Sequence, residues 1–227
     1  MNDNLEKMRN SLKEKNTELS KSTCCFTGHR PQGLPWKFNE QDERCLKMKE
    51  QLKNEIVKAV KSGYTTFISG MALGFDIICA EIVLELKNTY PHIKIIGAIP
   101  CKTQDKLWME KDKQRYKNIL EKLDGIRCIY DDYIGPECML ERNRFMINNS
   151  SLVIALFNGT NGGTKKTLDY AKKCGVKIVV LTPMFWTFYI LNPLIVPFRW
   201  VLIKDYIKND EFKKIYDIIN LLLSKEE

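Results

Sequence analysis

Short apolar runs alternate with longer stretches of helical periodicity between residues 22 and 183. The apolar runs predict strands at 22–27, 65–69, 94–99, 126–130, 152–157 and 177–181. The stretches between them predict helices at 41–62, 75–87, 104–123, 138–149 and 164–174. Because regular alternation of strands and helices is typical of βαβ units, the pattern predicts an α/β protein. Its expected architecture is a Rossmann-like open parallel sheet flanked by helices, in three layers.

The run Leu-Val-Ile-Ala-Leu-Phe at 152–157 contains no polar position. A strand with one face in water alternates apolar and polar residues, whereas a strand covered on both faces does not. The run therefore predicts a strand in the middle of the sheet, with helices on both sides.

The segments outside the alternating pattern differ from it in composition. Residues 1–21 are rich in Lys and Glu with a sparse apolar stripe, which predicts a helical extension, and residues 22–183 form the expected Rossmann-like domain. In 184–227, an apolar segment at 184–203 precedes an amphipathic helix, and both are expected to pack on or beside the domain. Pro193 and Pro197 interrupt 184–203, which disfavours a membrane-spanning helix. Core packing or a homodimer interface is favoured over membrane contact there.

The bulk composition is that of a globular protein with an excess of positive charge. The net charge is +8, and 44% of the residues are hydrophobic. A positive field attracts phosphates, nucleic acid or anionic membranes, but it does not select among them. The 8 cysteines include no CxxC pair at zinc spacing and lie mostly in apolar runs, which predicts reduced thiols, a cytoplasmic location, and neither a metal nor a cofactor.

Glycine and polar residues collect immediately after three of the predicted strands. These loops span 27–30, 69–76 and 158–164. In open parallel sheets, ligands bind outside the carboxyl ends of the strands, where glycines allow close approach of the main chain. A helix N-terminus that follows such a loop favours a phosphate. Simple helix capping by Asp76 and Thr164 is the structural alternative.

The segment Glu141-Arg142-Asn143-Arg144 lies on the helix before the fifth strand. A guanidinium can hold a phosphate with two parallel hydrogen bonds. Side chains two positions apart on a helix point in different directions, so at most one of Arg142 and Arg144 is expected to face the crevice. The alternative to phosphate binding is a surface ion pair with Glu141. We expect Arg142→Ala to weaken ligand binding and to leave the fold intact.

Together these motifs resemble the SLOG superfamily, which groups DprA/Smf proteins with LOG-type phosphoribohydrolases, over roughly residues 23–182. The segment 69–76, Ser-Gly-Met-Ala-Leu-Gly-Phe-Asp, is similar to the DprA pattern SGxAxGID, and 142–144 is similar to its RNR. Thr-Gly-His-Arg-Pro at 27–31, Ile-Pro-Cys at 99–101 with Gln104 and Trp108, and Gly-Gly-Thr at 162–164 resemble the YpsA-like branch, whose function is uncharacterised.

The resemblance implies one function class and two alternatives. The first is binding or sensing of a nucleotide or nucleotide-derived ligand. The second is cleavage of an N-glycosidic bond as in LOG enzymes, with Arg142 and Asp169 as catalytic residues. The LOG pattern PGGxGTxxE is altered here, because Asn161 replaces its proline, Lys165 its later glycine and Asp169 its glutamate. The third is DprA-like binding of single-stranded DNA.

The predicted ligand-binding residues all belong to these motifs, with Trp108 or His29 as a base-stacking side chain and core packing as the alternative for Trp108. They are Thr27, Gly28, His29, Arg30, Ser69, Gly70, Ala72, Gly74, Asp76, Trp108, Arg142, Asn143, Gly162, Gly163, Thr164 and Thr167.

Overall fold

A computed structural model of the chain describes residues 20–183. They form six strands, which are β1 (Thr23–Gly28), β2 (Thr66–Ser69), β3 (Lys94–Cys101), β4 (Gly125–Tyr130), β5 (Leu152–Leu156) and β6 (Lys177–Leu181). The helices are α1 (Glu43–Lys61), α2 (Phe75–Leu86), α3 (Glu110–Leu120), α4 (Glu137–Asn148) and α5 (Gly163–Lys173), and a short 3-10 helix spans Pro31–Gly33.

The six strands form one parallel sheet in the order β4-β3-β2-β1-β5-β6. Alternate residues of each strand enter two separate cores. Phe26 packs with α1, α2 and α3 on one face, and Cys25 packs with α4 and α5 on the other. The predicted three-layer α/β fold is confirmed.

The order of the strands places the helices. Parallel crossovers are right-handed, so a sheet that grows first in one direction and then in the other puts its helices on opposite faces. Strands β1 to β4 are laid down in one direction, and β5 and β6 are added on the other side of β1. The direction therefore changes beside β1, between it and β5.

The predicted helix at 104–123 begins later than expected. Residues 102–109 form a series of turns, and α3 starts at Glu110. Leu107 and Met109, two apolar residues of this stretch, are exposed. Because they pack against nothing in the core, no apolar face extends the helix toward Gln104, and Trp108 lies in the turn segment.

The predicted extension at 1–21 lies almost entirely outside the described residues, and so do the apolar segment 184–203 and the C-terminal helix. Within residues 20–183, no helix is both long and apolar enough to cross a membrane. All 8 cysteines fall in this range as free thiols, six of them buried, with Cys174 exposed.

Candidate functional site

The carboxyl ends of β1, β2 and β5 bring the three glycine-containing loops to one edge of the sheet. β1 lies between β2 and β5, with Cys25 opposite Ile68 and Gly28 opposite Leu156. Ligands of open α/β sheets bind where the strand order reverses, which in this chain is beside β1. The loops after β1, β2 and β5 therefore surround the expected crevice.

The start of α2 packs directly under the end of β1. A Cβ on Gly28 would lie 2.6 Å from Cβ and Cγ of Phe75, so this strand end approaches the helix more closely than any side chain would allow. Gly74 has a φ of 93°, and a Cβ there would lie 2.9 Å from Cδ of Pro31. Glycine at both positions is thus needed for contact between neighbouring loops.

Asp76 and Arg142 form a buried ion pair beneath the loop after β2. Arg142 is 5% exposed and Asp76 is 6% exposed. Arg142 Nη1 lies 3.7 Å from Asp76 Oδ2, and the same nitrogen donates to the main-chain carbonyl of Gly70. Arg142 Nε donates to Asn143 Oδ1 at 2.8 Å. A guanidinium from α4 thereby connects the two faces of the sheet at the loop.

Burial shifts the pKa of each residue of this pair in the direction that disfavours its charged form. Desolvation raises the pKa of Asp76, opposed by Arg142, and it lowers the pKa of Arg142, opposed by Asp76. A Cβ on Gly70 would lie 2.6 Å from both Arg142 Cζ and Asp76 Oδ2, so the pair fills the space that a side chain at 70 would need. The pair holds the loop in place.

The burial of Arg142 contradicts the expectation that Arg142→Ala leaves the fold intact. Removing the guanidinium would leave the Asp76 carboxylate buried without its counter-charge, which is destabilising. Nη2 of Arg142 makes no hydrogen bond with residues 20–183. The predicted contact of Arg142 with a ligand would have to use this nitrogen, and it stays a prediction. Arg144, by contrast, is exposed and pairs with Glu141.

Met71 is held in a left-handed conformation inside the same loop, with a φ of 55°. Its N–H donates to Ser69 Oγ at 3.2 Å, and its carbonyl accepts from Gln104 Nε2 at 2.7 Å. Ser69 Oγ in turn donates to the main-chain carbonyl of Asp76 at 2.7 Å. Because a non-glycine residue adopts this conformation at a cost, the surrounding bonds fix the path of the loop.

Arg30 is an exposed cation at the mouth of the crevice. A Cβ on Gly74 would lie 3.0 Å from the His29 carbonyl oxygen and 3.1 Å from the Pro31 nitrogen, so the backbone on both sides of Arg30 lies against the N-cap of α2. Within residues 20–183, the Arg30 side chain forms neither a hydrogen bond nor an ion pair. Arg30 is therefore available to a ligand anion in a way that Arg144 is not.

His29 joins the loop after β1 to the loop after β5. Its ring stacks on Phe157 with centroids 5.9 Å apart, and its Nε2 accepts from the Asn158 N–H at 3.2 Å. Asn158 Nδ2 also donates to the carbonyl of Gly33 at 3.0 Å. These contacts close one side of the crevice. One face of the His29 ring is occupied by Phe157.

The acceptor role of Nε2 requires neutral His29, which gives a pH prediction. Burial lowers the His29 pKa from its ordinary 6.5, so the unfolded chain takes up the proton first. The contribution of neutral His29 to the free energy of unfolding is therefore complete above pH 6.5. It is lost as the pH falls from there through the lower pKa that His29 has in the folded protein. We expect the free energy of unfolding to drop from pH 7.5 to pH 5 more in the wild type than in His29→Gln. Urea titrations check this, and parallel pH profiles of the two proteins would contradict it.

The start of α5 leaves space for a ligand. A Cβ at Gly162 or Gly163 would meet no atom within 4 Å. Thr167 Oγ1 donates to the carbonyl of Gly163 and accepts from Asn143 Nδ2, both at 2.8 Å, so α4 and α5 are joined just below the loop. The N-cap residues are Gly74 before α2 and Gly162 before α5, and neither helix has a side-chain hydrogen bond at its cap, so neither Asp76 nor Thr164 is the N-cap.

Two predicted site residues have contacts that do not involve the crevice. Trp108 packs edge-on against Tyr116 at a centroid distance of 5.1 Å, beside the core. Asp169 pairs with Lys165 one turn away on α5, with Nζ and Oδ2 at 2.9 Å. Base stacking by Trp108 and catalysis by Asp169 stay predictions.

Three residues that build the edge, Phe157, Asn158 and Gln104, are not among the ligand-binding residues predicted from the sequence. Asn158 was detectable as the first polar residue after β5, in a position that parallels His29 after β1. The bond from Gln104 to Met71 spans 33 residues and left no local signal.

This arrangement defines a class, namely Rossmann-like α/β proteins that carry glycine loops at the carboxyl edge of a parallel sheet. The chain belongs to the YspA SLOG family, whose family model matches residues 24–182. The membership confirms the resemblance to the SLOG superfamily and its YpsA-like branch.

Relatives of this chain include proteins from Bacillus and Brevibacillus. An uncharacterized SPbeta prophage-derived protein, YoqJ of Bacillus subtilis, is 37% identical over 140 residues, which cover 56% of this chain and 82% of YoqJ. A UPF0398 protein of Brevibacillus brevis is 32% identical over 133 residues, or 58% of this chain and 71% of that protein. The UPF0398 protein YpsA of Bacillus subtilis is 26% identical over 142 residues, or 62% of this chain and 78% of YpsA.

Solved structures of DNA processing protein A share the fold. The protein from Helicobacter pylori, which has a single-stranded DNA binding mode, superposes with a TM-score of 0.53 at 21% identity, covering 93% of this chain and 84% of that one. The protein from Streptococcus pneumoniae gives a TM-score of 0.52 at 16% identity, covering 71% of this chain and 50% of that one.

Proposed function

We propose that this chain binds a nucleotide or nucleotide-derived ligand at the carboxyl edge of the sheet, between the loops after β1, β2 and β5. The observation that carries the proposal is the exposed Arg30, which follows β1 beside the N-cap of α2 and forms no ion pair with residues 20–183. Arg30 supplies a charge for the phosphate, and the open space at Gly162 and Gly163 admits it to the start of α5.

The loops also supply groups for the rest of a nucleotide. The N-terminus of α5 has open space beside Gly162 and Gly163, where an added Cβ would meet no atom within 4 Å. Within residues 20–183, the Asp76 carboxylate accepts one long hydrogen bond, 3.4 Å from the Ala72 nitrogen, besides its ion pair. A carboxylate with unused acceptor capacity suits the hydroxyls of a ribose. These features favour a sugar phosphate over a bare anion.

Calorimetric titration of the full chain with nucleoside 5′-monophosphates tests the proposal. We expect saturable binding of one nucleotide per chain for at least one base, and weaker binding of the matching nucleoside, which lacks the phosphate. Chromatography of the same mixtures tests the N-glycosidic alternative with Arg142 and Asp169. Binding without release of free base supports the binding function, release of base supports the enzyme, and no binding of any nucleotide would refute both.

A second candidate is single-stranded DNA binding, favoured by the likeness to the Helicobacter pylori protein and by the net charge of +8. Each phosphate that a protein neutralises releases counterions, so DNA affinity falls steeply with salt, whereas a mononucleotide involves few charges. Binding of an oligothymidylate that weakens by about a hundredfold or more between 50 and 200 mM salt would favour DNA as the physiological ligand. Equal, shallow salt dependence for both would favour the nucleotide.

A further inference from the structure

A second concave site lies on the α1–α3 side of the sheet edge, and we call it the Trp36 pocket. Its volume is about 400 Å³, its floor includes Leu34, Trp36 and Ile78, and its rim includes Lys37, Phe38 and Lys111. Pockets for small molecules have volumes of about 300–1,000 Å³ and an apolar lining with a few polar groups. The Trp36 pocket fits this description.

The pocket is separate from the crevice. Pro31 and Gly74 line the pocket and are in contact with each other, since a Cβ on Gly74 would lie 2.9 Å from Cδ of Pro31. Apart from Gly74, the glycines of the crevice loops do not line the pocket, and neither does Arg30.

The floor of the pocket contains an indole N–H that solvent reaches, although most of its ring is buried. Trp36 is 4% exposed, and its indole N–H makes no hydrogen bond with residues 20–183. A tryptophan indole N–H is a donor only, so it can meet an acceptor oxygen. A ligand oxygen in the pocket would satisfy this group.

The rim of the pocket has unpaired positive charge. Lys37 and Lys111 form no ion pair within the described part of the chain, and Asp112 is the lining carboxylate that is likewise unpaired there. The other lining carboxylate, Glu40, is paired with Lys49 and Arg115. Two unpaired cations against one unpaired carboxylate favour an anion.

The apolar wall of the pocket suits a flat ring. Phe38 is 53% exposed at the rim, where an apolar side chain of this size gains from being covered. From these features we propose that the Trp36 pocket is a second ligand site, which binds a small organic anion with a planar apolar ring. The ring lies against Phe38, and the anionic group meets the Trp36 N–H, Lys37 and Lys111.

Fluorescence titration of the full chain with anilinonaphthalene sulfonate, an aromatic anion, tests the proposal. We expect one bound probe per chain and a Kd that rises about three- to tenfold in each of Phe38→Ala, Lys111→Gln and Trp36→Phe. The matched controls are Tyr133→Ala and Lys106→Gln, which change an exposed aromatic ring and an exposed lysine elsewhere. They should leave the Kd unchanged.

Two further measurements make the result decisive. The neutral probe N-phenyl-1-naphthylamine should bind more weakly than the anion and should be insensitive to Lys111→Gln. Saturating adenosine 5′-monophosphate should not displace the anionic probe, and Arg30→Gln should not change its Kd. Non-saturating binding, equal effects of the pocket and control variants, or displacement by the nucleotide would each overturn a separate site. The first two outcomes do not bear on nucleotide binding at the crevice, whereas displacement would place the nucleotide at the Trp36 pocket.

Discussion

Asp76→Ala is expected to lower the free energy of unfolding by about 3–5 kcal/mol, because it leaves the buried guanidinium of Arg142 without a counter-charge. Loss of an ion pair on the surface costs at most about 1 kcal/mol, so a loss of this size would show that the pair is buried. Urea denaturation of the full chain at pH 7 measures it. The matched control is Asp112→Ala, which removes a carboxylate that is unpaired within residues 20–183 and should change the stability by less than about 0.5 kcal/mol.

The double variant Asp76→Ala with Arg142→Met separates pairing from packing. Replacing both members of a buried pair with apolar groups is often near neutral, whereas breaking the pair is not. We therefore expect the double variant to recover a large part of the stability lost by Asp76→Ala alone. A double variant that loses the sum of the two single losses would show that the groups do not interact, contrary to the contact between them.

Arg30→Gln is expected to weaken nucleotide binding by about tenfold or more, because it removes a charge-assisted contact to phosphate. Its stability should stay close to that of the wild type, since Arg30 is exposed and forms no ion pair in the described part of the chain. Isothermal titration with the tightest nucleotide found for the wild type measures the change.

The matched control for Arg30→Gln is Arg144→Gln. Arg144 is also an exposed arginine of a family-like motif, but it pairs with Glu141 on the surface of α4. We expect its nucleotide affinity to equal that of the wild type. If Arg144→Gln weakened nucleotide binding and Arg30→Gln did not, the phosphate would not bind at the end of β1.

The sequence predicted the fold well because its signals are local. The strands at 152–157 and 177–181 were visible as apolar runs, and the structure places β5 at Leu152–Leu156 and β6 at Lys177–Leu181. The predicted start of α3 was wrong, because the sequence does not show that Leu107 and Met109 lie exposed in a turn segment. Propensity and pattern do not contain this tertiary information.

The candidate site was predictable in position but not in its contacts. Glycine loops after parallel strands are visible in the sequence, and the parallel topology alone requires that they share an edge. The roles of Arg142 and Arg30 depend on which guanidinium is buried, and that follows from the packing of α4 beneath Gly70, 72 residues away. No spacing rule within one helix separates a buried arginine that supports a loop from an exposed one that could meet a ligand.

Amide chemical shifts of the full chain, recorded while adenosine 5′-monophosphate or the tightest nucleotide is added, test the central claim most directly. Ligand at the carboxyl edge should give saturable shifts at the N–H groups of Gly28, Arg30, Gly70 and Gly162, all four with the same Kd. The far ends of the same strands, such as Thr66 and Lys177, should not respond. Saturable shifts confined to that opposite edge, or the absence of any saturable shift near Arg30, would contradict the account.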